Sequence, residues 1–183
     1  LAEAGLIWRY GADGITPAVR ARAERELKVL ADKAISAYFL IVWDFVNWAR
    51  QNGIPATARG SGVGTMVGYV LGLSNACPVR YGLLFERFTD PDRSEYPDID
   101  IDICQNGRAD AIEYVREKYG HVAQIAQVEV LGDGAEHARF RLAAITTVRR
   151  GMRAVHDQID TSALLHRQLL QLEVHVGEGL DVE

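Results

Sequence analysis

Between Pro97 and Cys104 the chain reads Asp98-Ile99-Asp100-Ile101-Asp102-Ile103, three carboxylates alternating strictly with three isoleucines. A two-residue period is that of a strand, whose successive side chains point to opposite faces. The segment is therefore expected to bury Ile99, Ile101 and Ile103 and to carry Asp98, Asp100 and Asp102 along one edge. Aspartate is a poor strand former, so its repetition needs a cause. Same-face carboxylates two residues apart lie roughly 7 Å from each other. They repel and hold each other's protons unless a cation neutralises them. Hard, all-oxygen donors suit Mg²⁺ or Mn²⁺ better than zinc or copper, and Mg²⁺ is commonly held by one or two carboxylates together with substrate phosphates. The alternative is a solvated acidic face on an antiparallel sheet, which requires no ligand.

A second stretch bears on that choice. In ARGSGVGTMVGYVLGLS, Gly60, Ser61 and Gly62 open a loop, and Val63, Met66, Val67, Val70 and Leu71 then recur at helical spacing, with Gly64, Gly68 and Gly72 on the helix body. A glycine loop feeding a helix aims backbone N–H groups outward at the positive end of the helix dipole, where a phosphate can approach closely. Arg59 beside it adds the capacity for a charge-assisted contact. Gly64, Gly68 and Gly72, spaced by four, also fit a second reading in which they let another backbone pack close on the helix. The two readings are compatible, and a phosphate site here would supply the oxygen ligands that an acidic edge lacks.

Elsewhere, Thr16-Pro17 reads as an N-cap with proline in the first turn, followed by Val19, Ala23, Leu27, Leu30 and Ala34 at helical spacing, so a helix is expected over 17–34. In AYFLIVWDFVNWARQNGI the continuous apolar run from Tyr38 to Trp43 reads as a buried strand, with Asp44 capping a helix that ends at Asn52-Gly53. Trp43 and Trp48 are expected in packing. Residues 74–96 read as a connector with one helical turn near Leu83–Phe88, in which Arg80, Arg87 and Arg93 serve either as solvated charge or as an anion clamp. Toward the C-terminus, Ile145, Val148, Met152, Val155 and Ile159 form one helical stripe and Leu164, Leu165, Leu169 and Leu172 a second. Arg139, Arg141, Arg149, Arg150 and Arg153 in this tail are expected on a solvated face rather than on nucleic acid.

Composition narrows the classes. No run of 18 apolar residues exists, and the opening LAEAGLIWRYGADG has neither a basic leader nor a cleavage site, so a cytoplasmic chain with no membrane role is expected. Cys77 and Cys104 share no metal or disulfide spacing, and His137, His156, His166 and His175 have none either. A formal charge of −5 opposes nucleic-acid binding by net charge while leaving room for a local basic patch.

Over residues 38–125, the ordered blocks YFLIVWDFVNWA, ARGSGVGTMVGYVLGL, YGLLFERF, PDIDIDI and IEYVREKYG closely resemble the palm of the bacterial replicative DNA polymerase III alpha subunit family, the C family of DNA polymerases. The resemblance implies an α+β fold, a DNA polymerase beta-like nucleotidyltransferase palm with a mixed sheet and helices largely on one face. Residues 1–126 would form that palm-like region, and 127–183 a divergent helical tail. It also implies template-directed transfer of deoxynucleotides to a primer 3′-hydroxyl, with two Mg²⁺ or Mn²⁺ ions. On the matching positions, Asp100 and Asp102 take the metal and catalytic roles, with Asp98 a third member of the same face outside the pair. Arg59, Gly60, Ser61 and Gly62 take the triphosphate, with Arg87 a further candidate. The implied partners are a deoxynucleoside triphosphate, primer-template DNA and other replicase subunits, in a nucleoid-associated setting.

The chain departs from the family's pattern after HVAQI, where a different sequence replaces the expected block, and no equivalent is evident for the family's third catalytic carboxylate. A fragment is therefore expected. The competing expectation is an inactive remnant or interaction module that keeps the palm fold and at most binds metal or nucleotide.

Overall fold

A computed structural model describes residues 1–90 and 97–119, together with the backbones of 126–130 and 136–140. Five helices are described: α1 (Ala2–Tyr10), α2 (Pro17–Asp32), α3 (Ser36–Gln51), α4 (Met66–Val70) and α5 (Arg108–Tyr119). The strands are β1 (Ala56–Arg59), β2 (Ile99–Ile103), β3 (Ala126–Val130) and β4 (Glu136–Phe140), ordered β1-β2-β4-β3 in one sheet. Every described pairing is antiparallel, in place of the mixed sheet expected.

The alternation in β2 does what its period dictates. Ile99, Ile101 and Ile103 are buried, and the aspartates between them are half-buried. The isoleucines share one core with Tyr38, Phe39, Val42 and Trp43 of α3 and with Ala111 and Val115 of α5. Between β2 and α5 a tight 3-10 turn, Gln105–Gly107, brings the backbone so near Ile54 that a Cβ on Gly107 would lie 2.4 Å from the Ile54 side chain. The molecule is thus α+β, with α3 and α5 on the isoleucine side of the sheet.

Three expectations are corrected. The apolar run Tyr38–Trp43 is helix, continuous with residues 44–51, and Asp44 lies inside α3 instead of capping it. Its buried positions 38, 39, 42, 45, 46 and 49 keep the period of a helix packed on several sides, so a run without polar interruption resembles a buried strand when only six residues are weighed. In α2 the core stripe is Val19, Ala23, Glu26 and Leu30; Glu26 is wholly buried, and Leu27 is exposed. Finally, residues 126–130 and 136–140 form a hairpin whose second strand pairs with β2, so the sheet crosses the 126/127 boundary and this part of the tail is not helical. The two helical stripes expected further on, four of the five tail arginines (all but Arg139, in β4) and Arg93 lie outside the described residues.

Helix α2 begins where the sequence signals it: Thr16 Oγ1 accepts from the Val19 amide at 3.3 Å, ahead of Pro17. It ends with Ala34 at φ 55, a left-handed conformation that closes an Ile35 N–H to Leu30 carbonyl bond of 2.9 Å. A smaller cluster joins α1, α2 and α4 through Leu6, Val19, Ala23, Met66 and Val70. Cys77 and Cys104 are free thiols, and no described helix is long and apolar enough to cross a membrane.

Candidate functional site

β1 runs antiparallel to β2, so Arg59 faces Asp100 and Thr57 faces Asp102 across the strands. On that edge Arg59 Nε lies 3.1 Å from Asp102 Oδ1, with both side chains about a third exposed. The chain leaves β1 at Gly60, whose φ of +64 is a conformation that side chains beyond hydrogen resist. A Cβ at this position would lie 3.3 Å from Asp100 Oδ2, so the turn runs directly against the carboxylate. Gly60–Gly64 forms a 3-10 turn in which Ser61 is exposed and Gly62 backs onto Ile99. Four of the residues singled out in the sequence, Arg59, Gly60, Asp100 and Asp102, therefore meet at one corner of the sheet, with Ser61 next to them. Gly60→Ala is expected to cost about 1–2 kcal/mol through its left-handed φ, read as a lowered melting temperature in differential scanning calorimetry.

Asp98 precedes β2 and is half-buried. Among the described residues no three His, Cys, Asp or Glu side chains are grouped to hold a metal. Asp100 and Asp102 are hard oxygen donors of the type Mg²⁺ takes alongside water and phosphate oxygens. Arg87 is exposed at the end of a 3-10 turn, Phe85–Arg87, that touches the glycine turn; a Cβ on Gly64 would lie 2.9 Å from the Leu84 carbonyl oxygen.

The helix-dipole part of the phosphate reading is corrected. α4 spans only five residues, and its first amides are already occupied. Gly68 N–H donates to Thr65 Oγ1 at 2.9 Å and Val67 N–H to Glu26 Oε2 at 3.1 Å. The Gly60–Gly62 backbone and the Ser61 hydroxyl lie ahead of α4, and Arg59 is engaged with Asp102. The close-packing reading of the glycines also divides, since Gly64 precedes α4, Gly68 lies within it and Gly72, at φ +75, comes after it.

Several supporting residues escaped sequence reasoning. The Tyr38 hydroxyl on α3 accepts the Ile99 amide at 2.8 Å, fixing the start of β2. Burial, with Asp98 and Asp100 nearby, holds that phenol protonated well above its ordinary range, against the opposing pull of the Ile99 amide. Glu26 is pushed upward by burial, opposed by the Met66 and Val67 amides and by Arg22. A charged residue on the core stripe of α2 is the signal that identifies Glu26.

Known proteins match this sequence. The family described as Bacterial DNA polymerase III alpha NTPase domain matches residues 1–174, a wider span than the resemblance drawn from the motifs. DNA polymerase III subunit alpha of Aquifex aeolicus (strain VF5) is 50% identical over 113 residues, 60% of this chain and 10% of that protein. The subunit of the same name from Treponema pallidum (strain Nichols) is 45% identical over 142 residues, 77% of this chain and 12% of that one. That of Neisseria meningitidis serogroup B is 44% identical over 126 residues, 68% and 11% respectively. The chain thus spans about a tenth of the length of these relatives.

Proposed function

Because the chain belongs to the bacterial DNA polymerase III alpha NTPase-domain family, we propose that it is the palm part of a replicative DNA polymerase, of DNA polymerase beta-like nucleotidyltransferase type. Its reaction is template-directed transfer of a deoxynucleotide to a primer 3′-hydroxyl, with pyrophosphate leaving. The observation that carries this reading is the corner where the Gly60 turn meets Asp100 while Arg59 reaches Asp102.

Asp100 and Asp102 would hold Mg²⁺ or Mn²⁺, two ions in the full site, which when bound neutralise phosphate charge and lower the pKa of the attacking hydroxyl. The chain's own residues do the binding and orientation. Gly60 brings the backbone of the turn against the Asp100 carboxylate, and Ser61 presents a hydroxyl to the triphosphate from the exposed turn. Arg59 supplies a guanidinium at the boundary between the acidic edge and the phosphates. Arg87 adds a second cation from the neighbouring turn. Primer-template DNA and other replicase subunits are the partners of the whole polymerase, acting in the cytoplasm at the nucleoid.

Metal-dependent nucleotide binding is the first test. With Mg²⁺ and a deoxynucleoside triphosphate at 100 times its Kd, native-state binding adds about 2.7 kcal/mol, a rise of roughly 5–10 °C in melting temperature for a chain of this size. No shift at saturating metal and nucleotide would remove the binding role. A shift without primer extension would favour a nucleotide-binding module that does not turn over.

A further inference from the structure

The glycine turn is held from outside its own sequence. Arg22 and Glu26, one helical turn apart on α2, reach the segment from Gly64 to Val67 and the connector at Leu83 together. Arg22 Nη2 donates to the Gly64 carbonyl at 2.9 Å and to the Leu83 carbonyl at 3.0 Å. Its Nε donates to Glu26 Oε1 at 2.5 Å, and Glu26 Oε2 takes the Val67 amide at 3.1 Å. Glu26 is 0% exposed and the Arg22 side chain 17%. One buried ion pair therefore fixes the end of the Gly60–Gly64 turn, the start of α4 and the chain just ahead of Phe85–Arg87.

An ion pair taken this far out of water is an expensive way to hold a helix start, since Thr65 already caps the same helix through Gly68. Arg22 lands at once on Gly64, in the turn that carries Ser61, and on Leu83, just ahead of the turn that carries Arg87, while Glu26 holds Arg22 and takes the Val67 amide at the start of α4. We infer that Arg22 and Glu26 are positioning residues, setting the spacing between the glycine turn and the Arg87 turn and through it the affinity for a triphosphate. The functional half of this inference rests on the reading given above; the hold on the turn does not.

Two measurements on the 183-residue chain separate these parts. Amide hydrogen exchange, without nucleotide, is compared for the parent, Glu26→Gln, Arg22→Lys and Val29→Ala, a core change on α2 outside the ion pair. The Kd of deoxyadenosine triphosphate with Mg²⁺ is then measured for each chain by calorimetry. Glu26→Gln and Arg22→Lys are expected to speed exchange selectively over residues 60–68 and 83–87 and to weaken nucleotide binding about tenfold. Val29→Ala should lower the melting temperature while leaving the Kd within about twofold of the parent. Unchanged exchange over 60–68 in both ion-pair variants overturns the inference, as does a Kd that follows melting temperature across all the variants. If the parent itself binds no nucleotide, the polymerase reading falls, and the exchange pattern alone decides whether the pair holds the turn.

Discussion

On the polymerase reading proposed above, Asp100→Asn combined with Asp102→Asn is expected to reduce Mg²⁺-dependent primer extension by on the order of 10³-fold or more, while the metal-free fold persists. Losing several kcal/mol of charge neutralisation at the phosphates accounts for the first part, since about 4 kcal/mol is a thousandfold in rate. The second part comes from where the side chains lie. Both are half-buried on the open side of β2, and the strand is held by the isoleucines on the other face. Asparagine keeps their size and removes the repulsion between neighbours. The Arg59–Asp102 ion pair joins two side chains each about a third exposed through atoms that are themselves buried, so its loss costs on the order of 1 kcal/mol. Primer extension and metal-free melting are read on the same preparations. Incorporation that survives both substitutions would sink the assignment of these two carboxylates; a melting temperature that collapses would show that they serve the strand instead.

Much of this arrangement was legible because it depends on short periods. Alternation over six residues determines which face of β2 each side chain takes, and Thr16-Pro17 announces the start of α2 by a local hydrogen bond. The backbone break at Gly60 was legible for a similar reason: glycine in a dense cluster marks a turn that the positive φ confirms.

The unread parts depend on contacts distant in sequence. Nothing within Tyr38–Trp43 distinguishes a buried strand from a helix covered on several sides, because either can be apolar throughout. What decides is the longer stripe through Phe45, Val46 and Ala49 and the packing of α5. Hydrophobicity alone orders an apolar stripe, and by that measure Leu27 outranks Glu26. The carboxylate is admitted to the core only because Arg22 and the Val67 amide, 41 residues away, meet it there. The hairpin of β3 and β4 likewise declares itself through its pairing with β2 and not through a strong pattern of its own.

Asp44→Ala is the stability counterpart, expected to cost about 3 kcal/mol and to lower the melting temperature by roughly 9 °C. Asp44, 8% exposed within α3, is where α5 is fastened. Its Oδ2 accepts from the Tyr114 hydroxyl at 2.8 Å and the Tyr119 hydroxyl at 2.7 Å, and Lys118 Nζ lies 2.9 Å from both carboxylate oxygens. Burial, with the Asp44 charge adding to it, holds the Tyr119 phenol far above its ordinary range, so that hydroxyl remains a donor throughout the working pH range. Truncation would strand the buried Tyr119 donor and weaken Tyr114, which also stacks on Trp48 with ring centroids 4.5 Å apart. Lys118 is 39% exposed and can turn to water, so little of the cost belongs to it. Asp44→Asn retains an acceptor oxygen and should lose less than half as much. Because α3 also grips the start of β2 through Tyr38, the same helix fixes both ends of the unit from Ile99 to Tyr119. Asp44→Ala should therefore speed amide exchange in α5 more than in α2; equal exchange in the two helices, or a stability within about 1 kcal/mol of the parent, would show that α5 is held by its apolar face alone.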